Sequence, residues 1–116
     1  MTAMTTAVHD IAGGPVLEIA GDLDHHSAPE AVQAVQDIML TAGQQLIVDL
    51  AGLTFCDSSG IATLIAAYNK AAEVGAGMAL ACVPASVNRT LAIIGMARLI
   101  AIHPTVQAAA EQWRSQ

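Results

Sequence analysis

Short apolar runs alternate with polar, glycine-containing breaks along this chain, and the spacing of the apolar positions changes from segment to segment. A short continuous or alternating run predicts a strand, and apolar residues at i, i+3, i+4 and i+7 predict a helix. On that basis a weak strand covers about Met4 to Ile11 and a stronger one Val16 to Ala20. They are joined as a hairpin through Ile11-Ala12-Gly13-Gly14-Pro15-Val16. Gly21 to His26 reads as a polar loop. Ser27 is placed to cap a helix that opens with Ala28-Pro29-Glu30, with proline in its first turn and an acid near its positive end. Ala28, Ala31, Val35, Ile38 and Met39 share its inner face; Glu30, Gln33 and Asp37 lie opposite, and Thr41-Ala42-Gly43 ends it.

A strand from Gln45 to Leu50 follows, then the polar turn Asp57-Ser58-Ser59-Gly60. The next helix puts Ile61, Leu64, Ile65, Tyr68 and Ala72 on one face and stops at Val74-Gly75-Ala76-Gly77. Met78 to Val83, between Gly77 and Pro84, is a buried strand. Ser86 to Ile94 is a short helix with Val87, Leu91 and Ile94 inward and Gly95 as its stop. Leu99 to Ile102 is a last strand, and a final helix after Pro104 turns Val106, Ala109, Ala110 and Trp113 inward. The order β-β-α-β-α-β-α-β-α predicts an α/β fold: a mixed, mostly parallel sheet with an N-terminal hairpin and flanking helices.

Composition narrows the function. The 116 residues suffice for one domain, expected over residues 1–116. Hydrophobic residues make up 54% and aromatics only 3%, so Ala, Leu, Ile and Val must build the core. Charged residues are 12%, about half the usual share. The net charge is −6, and Lys70, Arg89, Arg98 and Arg114 are the permanent cations, so no basic stripe exists to neutralise a nucleic-acid backbone. No apolar run approaches the ~18–20 residues that span a bilayer, so no membrane insertion is expected. Met1 to Asp10 lacks the basic and apolar regions of a signal peptide, and a cytoplasmic location is expected. Cys56 and Cys82 stand far apart without a Cys-x-x-Cys or Cys/His pattern, which predicts free thiols.

Candidate chemistry concentrates in Cys56-Asp57-Ser58-Ser59-Gly60, an acid and two hydroxyls at a helix start, where N–H groups are unpaired and the dipole is positive. Such a site can cap its helix, bind an anion or carry a phosphate covalently. A phosphatase-type loop would need an arginine six residues after Cys56, where Ala62 stands. A nucleophile elbow needs glycines on both sides of the serine, and no phosphate-binding Gly-x-x-x-x-Gly-Lys-Ser/Thr loop is present. The Asp24-His25-His26 string invites a metal, but adjacent histidines tend to diverge and no second ligand cluster appears, so neither metal nor cofactor is expected. Asp57 or Ser58 can cap the helix. Gly60, in its first turn, costs about 0.5–1 kcal/mol relative to alanine, and a small residue there would let a partner backbone or a nucleotide phosphate approach Ser58. The pattern thus specifies an accessible helix-start hydroxyl and no further chemistry.

Three segments carry a resemblance. Gly21-Asp22-Leu23-Asp24-His25-His26-Ser27-Ala28, Val48 through Ile61 with its Asp57-Ser58-Ser59-Gly60 core, and Val87-Asn88-Arg89-Thr90-Leu91 through Ile94-Gly95-Met96 resemble the STAS-domain anti-sigma factor antagonists of bacteria in order and spacing. The resemblance implies a mixed sheet flanked by helices and a regulatory protein with no enzymatic activity of its own. It implies Ser58 as the phosphorylated residue, beside the motif acid Asp57 and its neighbour Ser59. The implied kinase is an ATPase-type anti-sigma factor, which the unphosphorylated antagonist binds so that the sigma factor is freed; a serine phosphatase would reverse the modification. The implied partner-binding residues are Asp22, Asp24, His25 and Ser27 in the first segment and Asp57, Ser59, Gly60, Ala62 and Thr63 at the helix start. Cys56, where an aliphatic residue is more usual, and Ala62-Thr63 depart mildly from the pattern. Two other readings remain open on the same residues: a STAS subunit of a lipid-transport or stress-signalling assembly, and a small hydrolase using Ser58 with Asp57 and a histidine.

Both cysteines are expected to titrate as free thiols in denaturant without reductant. An intramolecular bridge detected by mass would contradict the disulfide-free, cytoplasmic reading.

Overall fold

A computed structural model describes residues 2–115. The elements are β1 (Thr5–Ile11), β2 (Gly14–Leu23), α1 (Ala28–Asp37), β3 (Gln45–Asp49), β4 (Leu53–Cys56), α2 (Ser58–Glu73), β5 (Gly77–Ala81), α3 (Ala85–Ile93), a 3-10 turn (Met96–Arg98), β6 (Ala101–His103) and α4 (Val106–Arg114). The strands form one sheet in the order β1-β2-β3-β5-β6, with β4 paired to the far end of β2. Only the β1–β2 hairpin is antiparallel; every other pairing is parallel. This is the α/β arrangement that the pattern predicts, with one additional strand.

Strand alternation sorts the central strands onto two faces. Leu17, Ile19, Leu46, Val48 and Leu80 pack with Ala31 and Val35 of α1, Leu64, Ala67 and Ala71 of α2, and Val87 and Leu91 of α3. Val16, Ile47, Ala79 and Ala81 face the other way, against Ala109 of α4. A central strand buried on both faces reads as an unbroken apolar run, as Leu46-Ile47-Val48 does.

Several expectations are corrected. The strand β4 is absent from the pattern because Leu53-Thr54-Phe55-Cys56 neither alternates cleanly nor runs apolar. It forms because β2 continues past Ala20 to Leu23 and offers it an edge, pairing Gly21 with Leu53, Asp22 with Phe55 and Leu23 with Cys56. The polar loop expected at Gly21–His26 is shortened accordingly. The buried face of α2 is Gly60, Thr63, Leu64, Ala67 and Ala71, with Ile61 and Tyr68 half-buried and Ile65 and Ala72 exposed. Small side chains let the helix lie close to the sheet, so the size of Ile65 does not decide which side faces in. Helix α1 stops at Asp37, which leaves Ile38 buried but Met39 88% exposed. Ile94 is exposed beyond the end of α3, and the last strand starts at Ala101 because Met96–Arg98 coils first. Gly95, at φ 76°, is the left-handed stop expected there.

The end of α1 has a cause in α2. The Lys70 ammonium donates to the carbonyls of Val35 (2.8 Å), Gln36 (2.8 Å) and Ile38 (2.6 Å) at the end of α1, where the Val35 carbonyl also accepts the Ile38 N–H. A cation at a helix C-terminus also meets the negative end of the dipole. Among the described residues no helix is long and apolar enough to cross a membrane.

Replacing Lys70 by methionine keeps the stem and removes the donors. Lys70→Met is expected to destabilise the protein by roughly 1–3 kcal/mol in urea unfolding. A loss below about 0.3 kcal/mol would mean that water caps these carbonyls equally well.

Candidate functional site at the start of helix α2

Asp57 precedes α2 in extended conformation, and its Oδ1 accepts from the backbone N–H of Ser59 (2.9 Å) and of Gly60 (3.2 Å). Its carbonyl accepts from Ile61 N at 3.0 Å. Asp57 alone therefore supplies the side-chain cap of this helix. The Ser58 side chain is exposed, and its hydroxyl makes no hydrogen bond among the described residues. Ser59 is half-buried and its carbonyl accepts from Thr63 Oγ1 at 3.1 Å. Thr63 is only 1% exposed, so it supports the first turn from beneath and offers almost no side-chain surface.

Gly60 is buried against the strand ends. A Cβ there would lie 2.5 Å from Cys56 Sγ and 2.9 Å from the Leu23 carbonyl oxygen. The Asp57 amide donates to that same carbonyl at 3.3 Å. The space at Gly60 is thus filled by its own sheet, and the expectation that it leaves room for an approaching partner is corrected. The Cys56 thiol is pushed up to about 11, first by burial and then by the Asp57 charge. It stays protonated at neutral pH and is a poor nucleophile.

The loop Asp24–Ser27 leaves β2 beside this turn. Asp24 Oδ1 accepts from the amides of His26 (3.0 Å) and Ser27 (3.1 Å) and from Ser27 Oγ (3.3 Å). Ser27 Oγ also donates to the Asp22 carbonyl at 2.8 Å and accepts from Asp24 N at 3.0 Å. Ser27 stands at the N-cap position of α1, yet its hydroxyl closes the loop instead of capping the helix, which corrects the sequence expectation. The Ser27 amide, with smaller help from His26 and the Ser27 hydroxyl, holds the Asp24 carboxyl below its ordinary range against a desolvation that raises it. Asp22 ties the loop to its surroundings: Oδ1 accepts from Thr54 Oγ1 (2.6 Å) and Oδ2 from Thr2 N (3.0 Å). Thr54 was invisible as a site residue because its strand was.

His25 and His26 are exposed with ring centroids 4.0 Å apart, so the rings lie together where divergence was expected. Among the described residues no three His, Cys, Asp or Glu side chains gather as a metal-binding set. A groove of about 520 Å³ separates α1 from α2 and is lined by His25, Ala28, Pro29 and Val32 on one wall and Ser59, Ala62 and Thr63 on the other. Pro29 and Val32 were not legible as site residues; their i, i+3 spacing on the side of α1 next to His25 is the signal that points to them. The sheet's carboxyl end thus brings the Asp22–Ser27 segment and the first turn of α2 onto one surface. That surface carries Asp22, Asp24 and Asp57 but no Lys or Arg ion pair among the described residues.

A methyl group at position 60 gains helix propensity but meets a backbone oxygen. Gly60→Ala is expected to lower stability by about 1–3 kcal/mol in chemical denaturation. A neutral or stabilising effect would mean that the first turn can lift off Leu23 without loss.

Residues 3–109 match the STAS domain family. An anti-sigma F factor antagonist of Paenibacillus polymyxa is 27% identical over 89 residues, which cover 76% of this chain and 76% of that protein. The crystal structure of an anti-sigma factor antagonist from Mycobacterium paratuberculosis is 27% identical and superimposes with a TM-score of 0.82, covering 97% of this chain and 95% of that one. The Bacillus cell fate determinant SpoIIAA in its phosphorylated form shares the fold at 17% identity, with a TM-score of 0.69 over 93% of this chain and 98% of that one. With the sheet order, the flanking helices and the Asp-Ser-Ser-Gly turn in place, the chain belongs to the STAS domain family.

Proposed function

We propose that this chain is an anti-sigma factor antagonist, acting as one STAS unit in the cytoplasm and switched by phosphorylation of Ser58. The observation that carries this reading is the division of labour at the start of α2. Asp57 satisfies the helix, and Ser58 is left exposed with a free hydroxyl. Relatives from Paenibacillus polymyxa and Mycobacterium paratuberculosis bear the name of anti-sigma factor antagonists. A Bacillus protein of the same fold is described in a phosphorylated form.

In this reading the partner is an anti-sigma factor with ATPase-type serine kinase activity, and a serine phosphatase restores the active form. The partner contacts the exposed Ser58 and, along the groove next to it, the exposed His25 and Ala62 and the half-buried Ser59. Asp22, Asp24, Ser27, Asp57, Gly60 and Thr63 shape that surface through the bonds and close packing described above. Phosphorylation adds about −1.5 to −2 charge at pH 7. The helix dipole and its remaining N–H groups tolerate this charge locally, so the domain stays folded. A partner surface closing over Ser58 would bury the dianion without a cation from this chain. That penalty is several kcal/mol, against ~1.4 kcal/mol per tenfold in affinity. Binding is cancelled with no large change of conformation.

The hydrolase alternative has less support: the Ser58 hydroxyl has no histidine partner among the described residues, and the neighbouring Cys56 is held as a neutral thiol. Reaction with the ATPase-type kinase of the same genome and ATP, followed by mass mapping, tests the proposal. Phosphate is expected on Ser58. Ser58→Ala should bind the kinase and resist modification, and Ser58→Asp should weaken binding less than phosphate does. Phosphate on Ser59 alone, or equal labelling of Ser58→Ala and wild type, overturns the assignment. Stable assembly with other proteins and no phosphate would favour the transport or stress-signalling subunit, and substrate turnover by the isolated domain the hydrolase.

A further inference from the structure

The sheet ends on one side at β1, and the outer edge of that strand is uncovered. Natural sheets guard such edges with proline, lysine, bulges or very short strands. β1 has none of these, and its one acid, Asp10, stands next to the turn: Thr5-Thr6-Ala7-Val8-His9-Asp10-Ile11 is unbroken in its register with β2.

The ladder shows which backbone groups are free. Asp10 lies opposite Pro15, which has no N–H, and Ile11 and Gly14 close a tight turn. Asp10–Pro15 is therefore a non-hydrogen-bonded pair. Because such pairs alternate along an antiparallel ladder, Val8–Leu17 and Thr6–Ile19 are too. The N–H and C=O groups of Thr6, Val8 and Asp10 point away from β2, and none of them meets another protein group among the described residues. Beside them lies partly apolar surface: Val8 is 50% and Met39 88% exposed, and both line a shallow groove with Pro15, Ala34 and Ile38 that also carries Asp10 and Asp37.

We propose that this edge receives β1 of a second copy, antiparallel, about a two-fold axis through Val8. The register that overlaps Thr5–Ile11 fully with itself is centred on Val8. It sets Val8 against Val8 and Thr6 against Asp10 on both sides of the axis. Those are the residues whose backbone groups point outward, so each pair can exchange both of its hydrogen bonds. Side chains agree with this register. Each Asp10 carboxylate faces a Thr6 hydroxyl, His9 faces Ala7, and no acid faces an acid. The two Val8 side chains meet at the centre, and the apolar surface beside them is covered from across the axis. A single strand pair is small for a protein interface, so the dimer is weak and reversible. It joins two sheets edge to edge and carries two Ser58 hydroxyls.

Sedimentation equilibrium of the full chain from about 1 µM to 1 mM tests this. A reversible monomer–dimer equilibrium is expected. Val8→Pro removes the outward N–H at the axis without touching a bond to β2. Val8→Lys sets a charge against its own copy at a half-exposed position that tolerates it. Each should raise the dissociation constant at least about tenfold, with circular dichroism confirming the fold; Val8→Lys alone decides the matter if the proline variant fails to fold. Val8→Cys should form an intermolecular disulfide between the introduced thiols, distinguished by mass mapping from Cys56 and Cys82. A monomer throughout the range, a dimer indifferent to Val8→Lys, or cross-links only through the native cysteines would overturn the proposal.

Discussion

The geometry of the site rests on one close approach, that of the first turn of α2 against the end of β2. Gly60 lies where any Cβ would collide with the Leu23 carbonyl and the Cys56 sulfur, and the Asp57 amide donates to that same carbonyl. One carbonyl thus fixes both the height and the direction of the helix start. Asp57 then turns its carboxylate to the amides of Ser59 and Gly60. Capping by an acid that points inward to its own helix leaves the next residue, Ser58, facing outward with nothing to do for the fold. A hydroxyl that is structurally idle yet rigidly placed is what a modification switch requires, because a charge added there alters the surface without unfolding what lies beneath.

The neighbouring loop is built by the same economy of polar groups. Asp24 and Ser27 satisfy each other and the loop amides, while Asp22 reaches across to Thr54 and Thr2. These acids are engaged locally and pin the loop next to α2. The exposed His25, with Pro29 and Val32 behind it, supplies the wall of the groove that faces Ser59 and Ala62. The surface therefore combines an apolar trough with carboxylates, and no lysine or arginine forms an ion pair there among the described residues. Lys70, the permanent cation nearest in the chain, is committed to the carbonyls that end α1. That bond joins α1 and α2 and so holds the two walls of the groove together at the far end from Ser58.

At the opposite side of the sheet the constraint is reversed. Around Ser58 the helix start is capped by Asp57 and a side chain is left free. Along β1 the side chains are modest and the backbone is left free at Thr6, Val8 and Asp10. A chain with few charges has little to spend on guarding an edge, and its remaining route is to pair that edge. The proposed association and the proposed phosphorylation use different elements, so one can be altered without the other.

Much of this was legible in the sequence. The hairpin, the buried central strands, the glycine stops at Gly75 and Gly95 and the helix-start serines follow from local rules of periodicity, dihedral freedom and capping, which act over a few residues. The resemblance to STAS-domain antagonists rested on the same turn and on the segment from Gly21 to Ala28. What the sequence left undecided were matters of distance between segments. Leu53–Cys56 is a strand because β2 runs on to meet it. α2 buries Thr63 and Ala67 and leaves Ile65 exposed because small residues let it sit close to the sheet. Ser27 closes a loop because Asp22 and Asp24 come within its reach. Gly60 looked like space for a partner and is space for Leu23 and Cys56. The sequence by itself determined most of the strands and helices, β4 excepted, and which hydroxyls stand at a helix start; the tertiary structure decided which faces turn inward and where β4 forms, since these depend on neighbours distant in the chain that no local pattern records.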